Sequence, residues 1–236
     1  MLFNLFWGDW TILIVIPAFI FTLWAQFKVK STFAAYEKKL SRAGMTAAEV
    51  ATQLLHSKGI YNVQVRRVSG HLSDHYDPRN QTLNLSDSVY GSTGVAAIGV
   101  ACHEAGHAIQ HAEKYAPLTM RMDIIPACNV GSQLAMPLFF IGILLAAMPI
   151  GSGLMLAGIA CFSLSTLFQL ITLPVEFDAS NRAMAGIREC GFLTEEEQKG
   201  ARRVLTAAAM TYVAALATSL LSLLRLIVIA NNSRRN

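Results

Sequence analysis

The chain has 236 residues, of which 53% are hydrophobic and only 14% charged, with a formal net charge of +4. Its mean hydropathy is +0.43. A soluble domain carries about 25% charged residues, so a domain wetted on all sides is excluded. The basic residues lie beside apolar runs rather than in one patch interleaved with aromatics, which points to membrane orientation and against nucleic-acid binding.

Residues Trp10 to Phe27 are almost continuously apolar and about long enough to span a bilayer at 1.5 Å per residue. No Lys or Arg precedes them and no small-residue cleavage site follows, so the run reads as a retained anchor rather than a signal peptide. Lys28, Lys30, Lys38 and Lys39 come directly after it and place the following segment in the cytoplasm by the positive-inside rule. Thr46-Ala47-Ala48-Glu49 is a capping box opening a helix whose apolar face holds Val50, Leu54 and Leu55 and which Gly59 stops. Tyr61 to Val68 alternates as a strand does, and Ser69-Gly70 and Asp77 to Asn80 are turn chemistry. Thr82 to Leu85 is a second short strand. An edge strand in such a domain would let an extended peptide add beside it.

The stretch Ala97 to His111 contains His103-Glu104-Ala105-Gly106-His107, the HExxH pattern. Helical residues i and i+4 share a face, so both imidazoles reach one metal ion, and Glu104 sits beside that face. Zn²⁺ is the natural occupant, because it takes neutral imidazole and lowers the pKa of a bound water to about 7. The bland alternative is a surface helix with two histidines. Against it stand small and apolar flanks (Ala97, Ile98, Val100, Ala101, Ala108, Ile109) and Ala105 and Gly106, which are expected to leave room above the metal.

Two further spans follow, about Val130 to Met148 and, after a turn from Pro149 to Gly153, on to about Leu173. A polar segment, Glu176 to Arg203, precedes the last apolar run, Val204 to Ala230, which Arg225 alone interrupts. Thr211, Thr218, Ser222 and Arg225 share a face, either lining a path or packing helix on helix. Four spans leave Arg234 and Arg235 outside, against the charge rule, so a half-inserted C-terminal run is the alternative. The four cysteines (Cys102, Cys128, Cys161, Cys190) show no paired spacing and read as reduced.

A catalytic zinc takes three protein ligands. His111 drifts about 80° off the His103–His107 face. No histidine stands six residues after His107, where position 113 is Glu. Glu176 follows a two-span hairpin, which returns the chain to the compartment of His103, and it is the expected third ligand. The plainer alternative is an interfacial carboxylate at a helix start. As a mechanism, Glu104 is the general base acting on a zinc-bound water, with His75, Tyr76, Asn181 and Arg182 as candidate oxyanion donors. Arg182 reads more naturally as an i+4 partner of Asp178, and His75 as a turn residue.

Gly44-Met-Thr, Asp74-His-Tyr-Asp-Pro-Arg79, Val95 to Gln110 and Leu173-Pro-Val-Glu-Phe-Asp-Ala-Ser180 resemble the YugP-type neutral zinc metallopeptidases of bacterial membranes. The resemblance covers nearly the whole chain. It implies a membrane-bound zinc peptidase of the bacterial inner membrane, with His103 and His107 as ligands and Glu104 as catalytic glutamate. The layout is similar, more distantly, to HtpX-type and CAAX-prenyl-protease-type enzymes, which carry ExxxD. Glu176 matches the first position, whereas position 180 is Ser and the nearby acid is Asp178, so Asp178 stays open as a supporting residue or a ligand.

The expected fold is mostly α, with about four transmembrane helices and a small α+β zincin-like cytoplasmic domain built from two polar segments. The boundaries are an anchor at 1–29, the HExxH segment at 30–122, a hairpin at 123–175, the third-ligand segment at 176–203 and a last helix with its tail at 204–236. The expected activity is cleavage of peptide or protein substrates at the bilayer by one Zn²⁺ per chain held by His103, His107 and Glu176. A zinc-containing scaffold or chaperone is the rival. Oligomeric state and accessory membrane proteins are not readable.

Overall fold

Four apolar runs fold into long helices, because a chain in hydrocarbon must satisfy its backbone within the segment. The computed structural model describes residues 10–235, with side chains to Ser233, so the first nine residues of the expected anchor lie outside the described residues. Helix α1 is Ile12–Glu37, followed by the shorter α2, Ala47–Ser57, and α3, Val95–Ala112. The remaining long helices are α4, Ala116–Leu144, α5, Pro149–Glu189, and α6, Glu195–Arg235. Among the described residues, α1, α4, α5 and α6 are long and apolar enough to cross a membrane. The hairpin turn falls at residues 145–148, one step before the expected 149–153, because Pro149 opens α5 at the position where a helix tolerates proline. Pro174 does not end α5. The helix has 41 residues, about 60 Å, and carries Glu176 and Asp178 on the same rod as the apolar run.

The chain divides into two compact units. One contains the described parts of Met1–Trp24, Met120–Thr172 and Tyr212–Asn236. Within it the helices approach closely at small residues. A Cβ on Gly158 would lie 2.8 Å from both the Ala135 carbonyl oxygen and the Phe139 nitrogen. Phe139, Met155, Leu226 and Ala230 form a small buried cluster, while Phe19, Ile20, Ile141 and Leu156 face outward, as expected of lipid-facing positions. Polar contacts here include Thr22 with Thr218 (3.1 Å), Thr166 with Ser219 (2.8 Å) and Arg225 with Thr11 (3.2 Å). Thr218 thus reaches across to Thr22 of α1.

The other unit comprises Ala25–Thr119 and Leu173–Thr211, so residues 120–172 leave it and return to it. The capping box forms as the sequence predicts, with Thr46 and Glu49 each binding the other's backbone amide. Gly59 adopts φ +74°, the left-handed region that suits glycine after a helix end. A second capping box, Thr194 with Glu197, opens α6.

The sheet departs from the expected pair of strands. Strand β1 (Gln64–Val68) runs parallel to β3 (Thr82–Ser86), and a third strand, β2 (His75–Asp77), pairs antiparallel on the other side of β3. The turn residues 78–81 therefore close a β2–β3 hairpin, and residues 69–74 carry the crossover. Strand β3 is central and buried, and Leu83 and Leu85 join Val50, Leu54, Leu55 and Ile98 in the core.

Candidate metal centre

Helix α3 is buried along most of its surface through Ala97, Ile98, Ala101, Cys102, Ala105 and Ala108. Val100, His103, Glu104 and His111 form its partly open stripe. The helix is rich in small residues because a neighbouring backbone lies against it. A Cβ on Gly106 would fall within 3.2 Å of the Cα, C and O of Ala179 in α5. This corrects the expected role of Gly106: its missing side chain is taken up by the α5 backbone rather than left as room above a metal. The close crossing sets Glu176 and Ser180, on either side of Ala179, against His103 and His107.

The Nε2 of His103 lies 3.3 Å from the Glu176 Oε2, and that of His107 3.7 Å from the same oxygen. One ligand atom from each of the three residues lies within 4.8 Å of the others. Two imidazoles and one carboxylate are a donor set that suits Zn²⁺ with a fourth position left open. The electrostatics favour a cation at this place. Burial alone would lower the His107 imidazole, but the Glu176 hydrogen bond and the Glu104 charge outweigh it and raise it above its ordinary value.

Each imidazole is held from behind. His103 Nδ1 is 3.1 Å from the Ser180 hydroxyl, and His107 Nδ1 is 3.0 Å from Gln110 Oε1. The Gln110 amide donates to Val175 O and to Asp178 Oδ2, both at 2.8 Å. Arg182 pairs with Asp178 and Glu113 and lies over the Tyr115 ring. Asp178 is therefore engaged by Gln110 and Arg182, outside the three-residue cluster.

Glu104 accepts a hydrogen bond from the Tyr76 backbone N–H of β2 at 3.0 Å. The Tyr76 hydroxyl is 2.8 Å from His111 Nδ1, and burial pushes the phenol up to about 12, so it stays neutral. Of the other oxyanion candidates, His75 is occupied between Ser73 O and the Asn84 amide, and Asn181 is exposed.

A family model described as "Putative neutral zinc metallopeptidase" matches residues 11–231. The chain belongs to this family. It is also 46% identical over 223 residues to "Putative membrane protease YugP" of Bacillus subtilis (strain 168), an alignment covering 94% of this chain and 97% of that protein. No solved structure matches it. Family membership carries zinc and peptidase chemistry to the chain in general terms, and the cluster on α3 and α5 is where the described residues offer a place for the metal.

Sequence reasoning brings His103, Glu104, His107 and Glu176 to one locality, as the structure does. It misses Gln110, Ser180 and the Tyr76–His111 pair. The available signal was position 110 itself, a polar residue three along from His107 on the buried face of a helix.

Proposed function

We propose that the chain is a membrane-integrated zinc endopeptidase that cleaves membrane or membrane-associated proteins. The observation that carries this reading is the His103–His107–Glu176 cluster, drawn from two segments of one unit, with the partly exposed Glu104 beside it on the same helix. In this reading His103, His107 and Glu176 are the ligands of one Zn²⁺ per chain, which when bound polarises the scissile carbonyl and acidifies the attacking water. Glu104 takes the proton from that water and passes it to the leaving amine. The Tyr76 N–H holds one Glu104 oxygen, which orients the carboxylate and leaves the other for the proton. An extended substrate adds beside β2, the sheet edge next to α3. The neutral Tyr76 phenol, hydrogen-bonded to His111, is a candidate donor for the developing oxyanion. The four apolar helices and the Lys28–Lys39 cluster support a bacterial inner-membrane location with the site facing the cytoplasm.

Glu104→Gln tests the mechanism. An amide of the same shape cannot take a proton, so cleavage of unfolded casein should fall about 10²–10⁴-fold while bound zinc stays at one per chain. Cleavage at the wild-type rate would refute the peptidase mechanism. A wild type that binds zinc and cleaves nothing would favour the scaffold alternative.

A further inference from the structure

Gln110 is fully buried three residues beyond His107, in a family of interactions that HExxH does not describe. An amide side chain can be turned either way, with N and O exchanged, and its surroundings decide which. Here one end faces Val175 O and Asp178 Oδ2, each at 2.8 Å. Both are acceptors, so that end is the NH₂. A flipped amide would set an oxygen against two oxygens in a buried site, which is costly. The other end, 3.0 Å from His107 Nδ1, is therefore the carbonyl oxygen. A carbonyl oxygen only accepts, so Nδ1 carries the hydrogen. The lone pair of a neutral His107 is then at Nε2, on the side of Glu176.

The amide is not free to reconsider. Asp178 is clamped by Arg182, which is itself tied to Glu113 at the end of α3 and lies over Tyr115. The ties run from α3 to α5 and back. His103 is different, since its Nδ1 partner is the Ser180 hydroxyl, which can donate or accept and so imposes no tautomer.

We infer that Gln110 is a positioning residue that presets the tautomer and ring orientation of His107 for metal, with Val175 O and Asp178 as the groups that fix its amide. This rests on the zinc-site reading given above. Asp178 then acts through Gln110, without touching the metal.

The test compares two variants of the full chain in detergent micelles, with zinc affinity measured by chelator competition. Gln110→Met keeps bulk and loses the acceptor; it should weaken zinc by about 10–100-fold. Gln110→Glu keeps an oxygen towards Nδ1 and, in its protonated form, has one O–H where the amide had two N–H donors, so it should bind zinc more tightly than Gln110→Met. If Gln110 merely ties α3 to α5, Gln110→Glu fails as badly as Gln110→Met, and the inference is overturned. A second measurement needs no substitution at Gln110. In zinc-loaded wild type with ¹⁵N-labelled histidine, the His107 Nδ1 proton, identified by its absence in His107→Ala, should exchange slowly with water. Rapid exchange there overturns the inference even if Gln110→Met cannot be folded. A wild type that binds no zinc defeats the underlying site reading instead, whereas tight zinc binding by Gln110→Met defeats only the role of Gln110.

Discussion

Polar side chains are used differently in the two units. In the apolar unit they meet pairwise between helices, Thr22 with Thr218 and Thr166 with Ser219. In the unit that holds the metal cluster they are linked in series, from Glu113 through Arg182, Asp178 and Gln110 to His107. Such pairs position helices at small individual cost. A linked series in a low-dielectric site is a shared commitment, since one missing member strands its neighbours. Substitutions should therefore have local effects in the first unit and propagated ones in the second.

The sharpest contrast comes from the proposed ligands. Replacing His103 or His107 with Ala should abolish stoichiometric zinc, read by elemental analysis of the purified protein, because two remaining protein ligands do not make a three-ligand site. Retention of full zinc by both variants would break the site assignment and with it the distinction between the units.

Next in size is a pair of glycines. Gly106→Ala drives a methyl into the Ala179 backbone and should destabilise by about 1–3 kcal/mol or more, while also pushing Glu176 away from the histidines. Gly153, in α5, has nothing within 4 Å of where its Cβ would be. Gly153→Ala should be neutral or stabilising by up to about 1 kcal/mol, from helix propensity alone. Thermal unfolding in micelles with zinc titration of both variants checks this. Equal destabilisation by the two would mean that Gly106 marks no special crossing.

The smallest effect is expected from Thr218→Val. A hydroxyl pair within membrane helices is worth about 0.6 kcal/mol on average, and zinc affinity should not change. A large loss of zinc in this variant would show that the pairs are not independent after all.

What could be read from the sequence follows the same division. The four spans were legible because hydropathy is a local property, and the capping box at Thr46–Glu49 because it closes within four residues. His103, Glu104 and His107 were legible from helix periodicity, and Glu176 from counting crossings between two polar segments. The sheet was only half legible. Strand β2 has three residues, His75–Asp77, too few for alternation to register, and the parallel β1–β3 register depends on a crossover that no local pattern announces. Ser180 entered only as a mismatch to another motif, and Gln110 only as the last residue of a matching stretch. Their roles exist because α3 and α5 cross at Gly106 and Ala179, and that contact joins residues 73 positions apart in sequence. The function of Gly106 was misread for the same reason, since a glycine facing empty space and one facing a backbone look alike in a string of letters.

The separation of the donors along the chain also sets an order of events during biosynthesis. Glu176 lies 73 residues after His103, with the whole hairpin between them. At about 5–20 residues per second, the ribosome takes roughly 4–15 s to bridge that gap. Through that interval the nascent chain presents a helix with two histidines and a glutamate but no third donor. With the ligand set proposed above, the nascent chain cannot complete the metal centre, or cut its neighbours at the insertion site, before its own hairpin has been made.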